Sequence, residues 1–117
     1  MDYKTAHNLI LEQGNALNAR TNSDAFLSRL EQGKPPIPGQ VTSILLALKI
    51  LFDSLKEEPA FEQQLTAALY QLAMESHRQF ILGRDRGVEW PPLLREDLNR
   101  ISLAIKNIFS GQWQELT

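Results

Sequence analysis

The chain has 117 residues, 43% hydrophobic and 22% charged, with a formal net charge of -2 and no cysteine. That length suits one helical domain, residues 1-117, and leaves no room for two independent cores. The composition excludes wholesale disorder, and the missing cysteine removes disulfides, thiolate metal sites and cysteine nucleophiles together.

The charge is unevenly spread. His77 to Lys106 carries six basic and four acidic side chains, against six and ten in the remainder. A protein that neutralises many phosphates carries a larger basic surplus, so nucleic acid is a minor expectation. Met1-Asp2-Tyr3-Lys4 is polar and lacks the apolar stretch of a secretory signal. The most apolar segment, Val41 to Leu55, is interrupted by Thr42, Ser43, Lys49, Asp53 and Ser54 and falls short of the ~20 residues that span a bilayer. The expectation is a cytoplasmic protein with no membrane partner.

In chain order, the apolar residues recur with helical spacing between glycine and proline breaks. A first helix is predicted from Asp2 to Ala19, with Tyr3, Ala6, Leu9, Ile10 and Leu17 on one stripe. Gly14 either weakens it or permits close packing. A short second helix follows the capping candidates Thr21, Asn22 and Ser23, presents Phe26, Leu27 and Leu30, and stops at Gly33. Lys34-Pro35-Pro36-Ile37-Pro38-Gly39 cannot be helical, because its prolines fix φ and remove donors.

The third helix is predicted from Gln40 to Glu57. Ten of the fifteen residues from Val41 to Leu55 are apolar and occupy nearly the whole circumference, the pattern of a central, enclosed helix. The fourth runs from Pro59 to Leu82, ended by Gly83, and carries two stripes. Phe61, Leu65, Leu69, Leu72 and Phe80 form one, and Tyr70, Met74, His77 and Ile81 the other, so the helix has two sets of neighbours within the domain or across a subunit interface. A charged loop, Arg84 to Trp90, leads to Pro91-Pro92 and a fifth helix reaching Ser110. Its Leu94, Leu98, Ile101, Ile105 and Ile108 alternate in steps of four and three, the seam of a helix packed at a shallow angle. The tail after Gly111 carries Trp113 and Leu116, placed to fold back. The predicted class is all-α, an irregular bundle of about five helices around a central apolar helix.

Chemistry is sparse. His7 and His77 lie far apart and neither is spaced with a second ligand, so no metal site and no cofactor is implied. Gly33-Lys34 is followed by Pro35, which supplies neither the hydroxyl nor the amide of a phosphate loop. No serine lies in a nucleophile elbow, and the adjacent pairs Glu57-Glu58 and Glu96-Asp97 splay apart on a helix, so no catalytic residue is assigned. Two constellations remain. Arg78, Arg84, Arg86 and Arg95, with Arg100 beyond them, converge if the last two helices form a hairpin; the alternative is that they balance a helix terminus and nearby carboxylates. Trp90 and the two proline loops, including Ile37, are stiff apolar segments suited to a partner, or else plugs for the bundle end.

The stretches PPIPGQVTSILLALK and EWPPLLREDLNRI, followed by IFSG, resemble those of small all-helical cyanobacterial proteins of unknown function. Some of these carry a dethiobiotin synthetase label, which implies an α/β fold with a phosphate-binding loop; this chain has neither the loop nor the strands. The leading functional expectation is a small interaction or assembly module that self-associates as a homodimer, with no protein partner named. A bundle binding an acidic or phosphate-bearing ligand beside Arg78, Arg84, Arg86, Arg95 and Trp90 comes second, a weak nucleic-acid binder third, and an enzyme last.

Overall fold

The computed structural model describes residues 1-117 as six helices and no strand: α1 (Tyr3–Gly14), α2 (Ala16–Ala19), α3 (Phe26–Glu31), α4 (Gln40–Leu55), α5 (Gln63–Asp85) and α6 (Leu94–Ser110). The all-α expectation holds. Four long helices form a ring in which α1 packs on α4 and α5, and α6 closes the other side against the same two. The short α3 lies on α5, and the Cα radius of gyration, 13.6 Å, is that of a tightly packed chain of this length. No helix is long and apolar enough to cross a membrane.

A continuous core of 22 buried apolar residues fills the ring, and the predicted seam of α6 supplies Leu94, Leu98, Ile101, Ile105 and Ile108, each at most 2% exposed. The first stripe of α5 points the same way through Leu65, Leu69 and Leu72. α4 is a wall of the ring and is less enclosed than its composition predicts. It buries Ile44, Ala47, Leu48, Leu51 and Phe52, while Leu46 on the opposite face is 49% exposed. Its principal neighbours are α1 and α6, and a helix with two neighbours cannot hide its whole circumference. The tail supplies part of the remaining cover. Trp113 packs edge-on against Phe52 at 5.1 Å with the Lys49 ammonium 4.3 Å from its ring centroid, and the buried Asn107 donates its side-chain amide to the Gln114 carbonyl at 2.9 Å.

Three predicted boundaries move. The first helix breaks at Asn15, where Gly14 presses on α5 and two poor helix formers meet; α2 then ends at Arg20, whose left-handed φ of 52° accompanies a bidentate pair with Glu31 at 2.7 and 3.1 Å. α5 begins at Gln63, four residues after Pro59, because Phe61 turns aside to pack on Phe109 and Glu62 has extended backbone. α6 begins at Leu94, after a turn in which the Leu94 amide donates to the Pro91 carbonyl.

Candidate interaction surfaces

The connection from α5 to α6 is built around Gly83 and Gly87. α5 continues past Gly83, the predicted stop, to Asp85, and the chain reverses at Gly87, whose φ is +88°. The Val88 amide donates to the Gly83 carbonyl and the Gly87 amide to the Arg84 carbonyl, the paired reversed bonds of a Schellman turn. Gly83 serves a different purpose. A Cβ there would collide with the Trp90 indole at Cζ2 and stand 2.9 Å from Cε2, so only glycine lets the ring lie flat on the helix. The indole stacks on Phe80, centroids 6.0 Å apart, and its Nε1–H donates to the Phe80 carbonyl at 2.9 Å. Trp90 thus plugs the end of the bundle and seats the loop.

The predicted arginines separate. Arg78 pairs with Glu75 one turn earlier, 3.3 Å away on α5. Arg86 reaches across to α3 and donates to the Glu31 carbonyl at 3.4 Å. Arg84 and Arg95 have no carboxylate within 4.0 Å. Arg100 is held by Asp97 at 3.0 Å, which occupies both groups in the first turns of α6. None of Arg78, Arg84, Arg86 or Arg95 lines any of the four clefts in the surface.

Ile37 has a different setting. The two proline loops, more than fifty residues apart in sequence, meet and line one open cleft of about 280 Å³ that includes Pro35, Ile37, Val41, Pro91, Leu93 and Asp97. Ile37 is 37% exposed and Leu93 62%, the most exposed large apolar side chain of the protein. Leu93 is absent from the residues singled out by sequence. Its signal is the pair Leu93-Leu94, neighbours at a helix start that cannot both face the core.

Another exposed apolar feature is the outer face of α5. Tyr70 and Met74 are 56% and 54% exposed and Ile81 46%, although the opposite side of the same helix is core. His77 belongs to this stripe but is half-buried, hydrogen-bonded through Nε2 to the Ser102 hydroxyl of α6 at 2.9 Å. Desolvation, and then the nearby Arg95 charge, hold its imidazole below the usual histidine range, so at neutral pH the stripe carries no histidine charge. No group of three or more histidine, aspartate or glutamate side chains stands close enough to hold a metal ion.

Comparison with known proteins finds a distant relative. A valine–tRNA ligase of Granulibacter bethesdensis is 26% identical over 106 residues, which cover 90% of this chain. The chain matches only 12% of the length of that enzyme. No family model matches the sequence, and no solved structure matches it.

Proposed function

We propose that this protein is a small protein-interaction module whose contact surface is the outer face of α5. The observation that carries the reading is the half-exposed line of Tyr70, Met74 and Ile81 on a helix whose other side is fully packed. Burial of such side chains is worth ~25 cal/mol for each Å² of apolar surface removed from water, and nothing within the chain covers them. The second apolar patch, Leu93 beside Ile37, extends the contact potential to the proline-loop end. The test is affinity capture from the native host with the wild type and with a Tyr70→Ser/Ile81→Ser variant. The variant is expected to melt as the wild type does, since exposed positions shift stability by only about 0.5 kcal/mol, and to lose the captured protein. Identical capture by both would refute this surface.

A second reading is contact with structured RNA at the basic end. It is supported by Arg84 and Arg95, which have no carboxylate partner, and by the relative named as a ligase acting on tRNA. It predicts that tRNA binding, followed by fluorescence anisotropy, weakens steeply between about 50 and 200 mM salt, as about one counterion is released for each phosphate neutralised. Arg84→Ala/Arg95→Ala would flatten that slope. Affinity unmoved by salt or by this substitution excludes the reading.

A further inference from the structure

The geometry points to the groove between α4 and α6 as a second interaction surface, one that takes an extended peptide segment and that the chain's own tail fills in cis. It is separate from the outer face of α5 and is tested separately. The tail itself shows what the groove holds. The left-handed turn at Gly111, φ +73°, sends the chain back along α6. Trp113 then packs on Phe52 with the Lys49 ammonium over its ring, and Leu116, three residues on, lies beside Leu103. Between these two anchors the buried Asn107 side-chain amide donates to the Gln114 main-chain carbonyl at 2.9 Å. Apolar anchors on either side of a clamped main chain are the means by which a groove recognises a peptide: the backbone bond orients it and the side chains select it. The cation beside the ring favours an aromatic first anchor, tryptophan above the others.

The helical body is complete without this tail. None of the 22 residues of the buried core comes from it, and Trp113 and Leu116 pack on the core from outside. Residues 112–117 have no regular secondary structure. Beyond Gln112 the bond from Asn107 is the one hydrogen bond that joins them to the rest of the chain. A segment tied by so few contacts opens locally while the helices beneath it stay folded.

Length supplies the reason that another segment displaces the tail. An open cleft of about 480 Å³ runs on along α6 beside Leu116 and Thr117, lined by Leu103, Arg100, Asn99 and Glu96. α6 presents Asn107, Leu103 and Asn99 in a row at steps of four, and Asn99 is exposed. Eight helical rises set Asn99 ~12 Å from Asn107, the span of about four extended residues. A segment clamped at Asn107 and long enough to follow the groove therefore brings the main chain four residues on to the Asn99 carboxamide, a bond the tail does not make. The partner is accordingly an extended segment with an aromatic residue, an aliphatic residue three places later, and at least two residues after that.

The probe is a fluorescein-labelled peptide of residues 112–117 lengthened by two alanines, titrated with the full-length protein and followed by anisotropy. In the wild type the tail competes at an effective concentration on the order of millimolar. Trp113→Ser removes the cis anchor and leaves the groove intact. It is expected to keep the helical circular dichroism of the wild type and to bind the peptide at least tenfold more tightly. Asn99→Ala added to that variant is expected to weaken binding of the lengthened peptide and to leave the unlengthened one unchanged, a difference that a merely structural role of Asn99 would not produce. A peptide that binds wild type and Trp113→Ser alike, or neither of them up to millimolar concentration, overturns the proposal. Loss of the helical circular dichroism in Trp113→Ser also overturns it, because the body would then depend on the tail. An Asn99→Ala effect equal on the two peptides overturns the longer footprint.

Discussion

A Cβ on Gly14 would stand 2.8 Å from both the Ala68 Cα and its carbonyl carbon and closer still to the carbonyl oxygen, at the point where α1 crosses α5. The obstacle is backbone, which cannot rotate aside as a flexible side chain does. Two effects of Gly14→Ala therefore oppose each other. Helix propensity favours alanine by about 1 kcal/mol. Overpacking at a tight crossing costs typically about 1–3 kcal/mol, and here it must separate two helices. Packing wins, so Gly14→Ala is expected to lower stability by about 1 kcal/mol or more in urea unfolding, where an isolated helix would have gained. An unchanged or raised midpoint would show that the crossing relaxes freely. The sequence presented Gly14 with both outcomes open, because close approach is a property of the partner helix, which periodicity does not reveal. Gly83 has the same character: its neighbour in space is Trp90, seven residues on, and its expected role as a helix stop falls to Gly87.

At the level of elements, what periodicity reports is which face of a helix is apolar, and this transferred well. The α6 seam is buried along its entire length; in α5 Leu65, Leu69 and Leu72 of the first stripe are core, while of the second Tyr70, Met74 and Ile81 are exposed and His77 turns to α6. What periodicity cannot report is how many neighbours a helix has. The apolar circumference of Val41 to Leu55 reads as enclosure on all sides, yet α4 is one wall of a four-helix ring and leaves Leu46 outside. Boundaries shifted for a related reason. Pro59 permits a helix start, but the actual start is set by Phe61 seeking Phe109, a contact between residues 48 positions apart. The meeting of the proline loops was equally invisible, although each loop was recognisable alone. Leu93 and Ile37 become neighbours of one cleft only after the ring is closed. The arginines at the α5–α6 connection looked convergent in one dimension and point to different partners in three: Arg78 to Glu75, Arg86 to α3.

The whole molecule's response to pH follows from groups spread over the fold. His77 has a folded pKa below its ordinary 6.5, from burial first and the Arg95 charge second. Below about 6.5 the unfolded chain therefore takes up this proton before the folded one does, and stability falls as pH drops through the folded value. Two carboxylates continue the decline at lower pH. Glu31, bonded to Arg20, and Asp2, which accepts the Thr5 amide at the start of α1, are both held below the ordinary carboxylate range. Their contribution is complete above the unfolded carboxylate pKa and is lost as pH falls through the folded values. At the alkaline limit Tyr3 is raised above 10.0, by desolvation and then by Glu62 and Glu58, so the unfolded chain ionises first and stability falls above that pH. These groups therefore lower the melting temperature on the acid side of about pH 6.5 and again above about pH 10. His77→Gln keeps a neutral polar side chain at Ser102 and removes the titration. It is expected to flatten the decline that begins around pH 6.5 while leaving the fall in the carboxylate range in place. A wild-type and a His77→Gln curve that run parallel from about pH 7.5 down to the onset of the carboxylate decline would show that His77 titrates alike in the folded and unfolded chain, and that its burial against α6 carries no proton linkage.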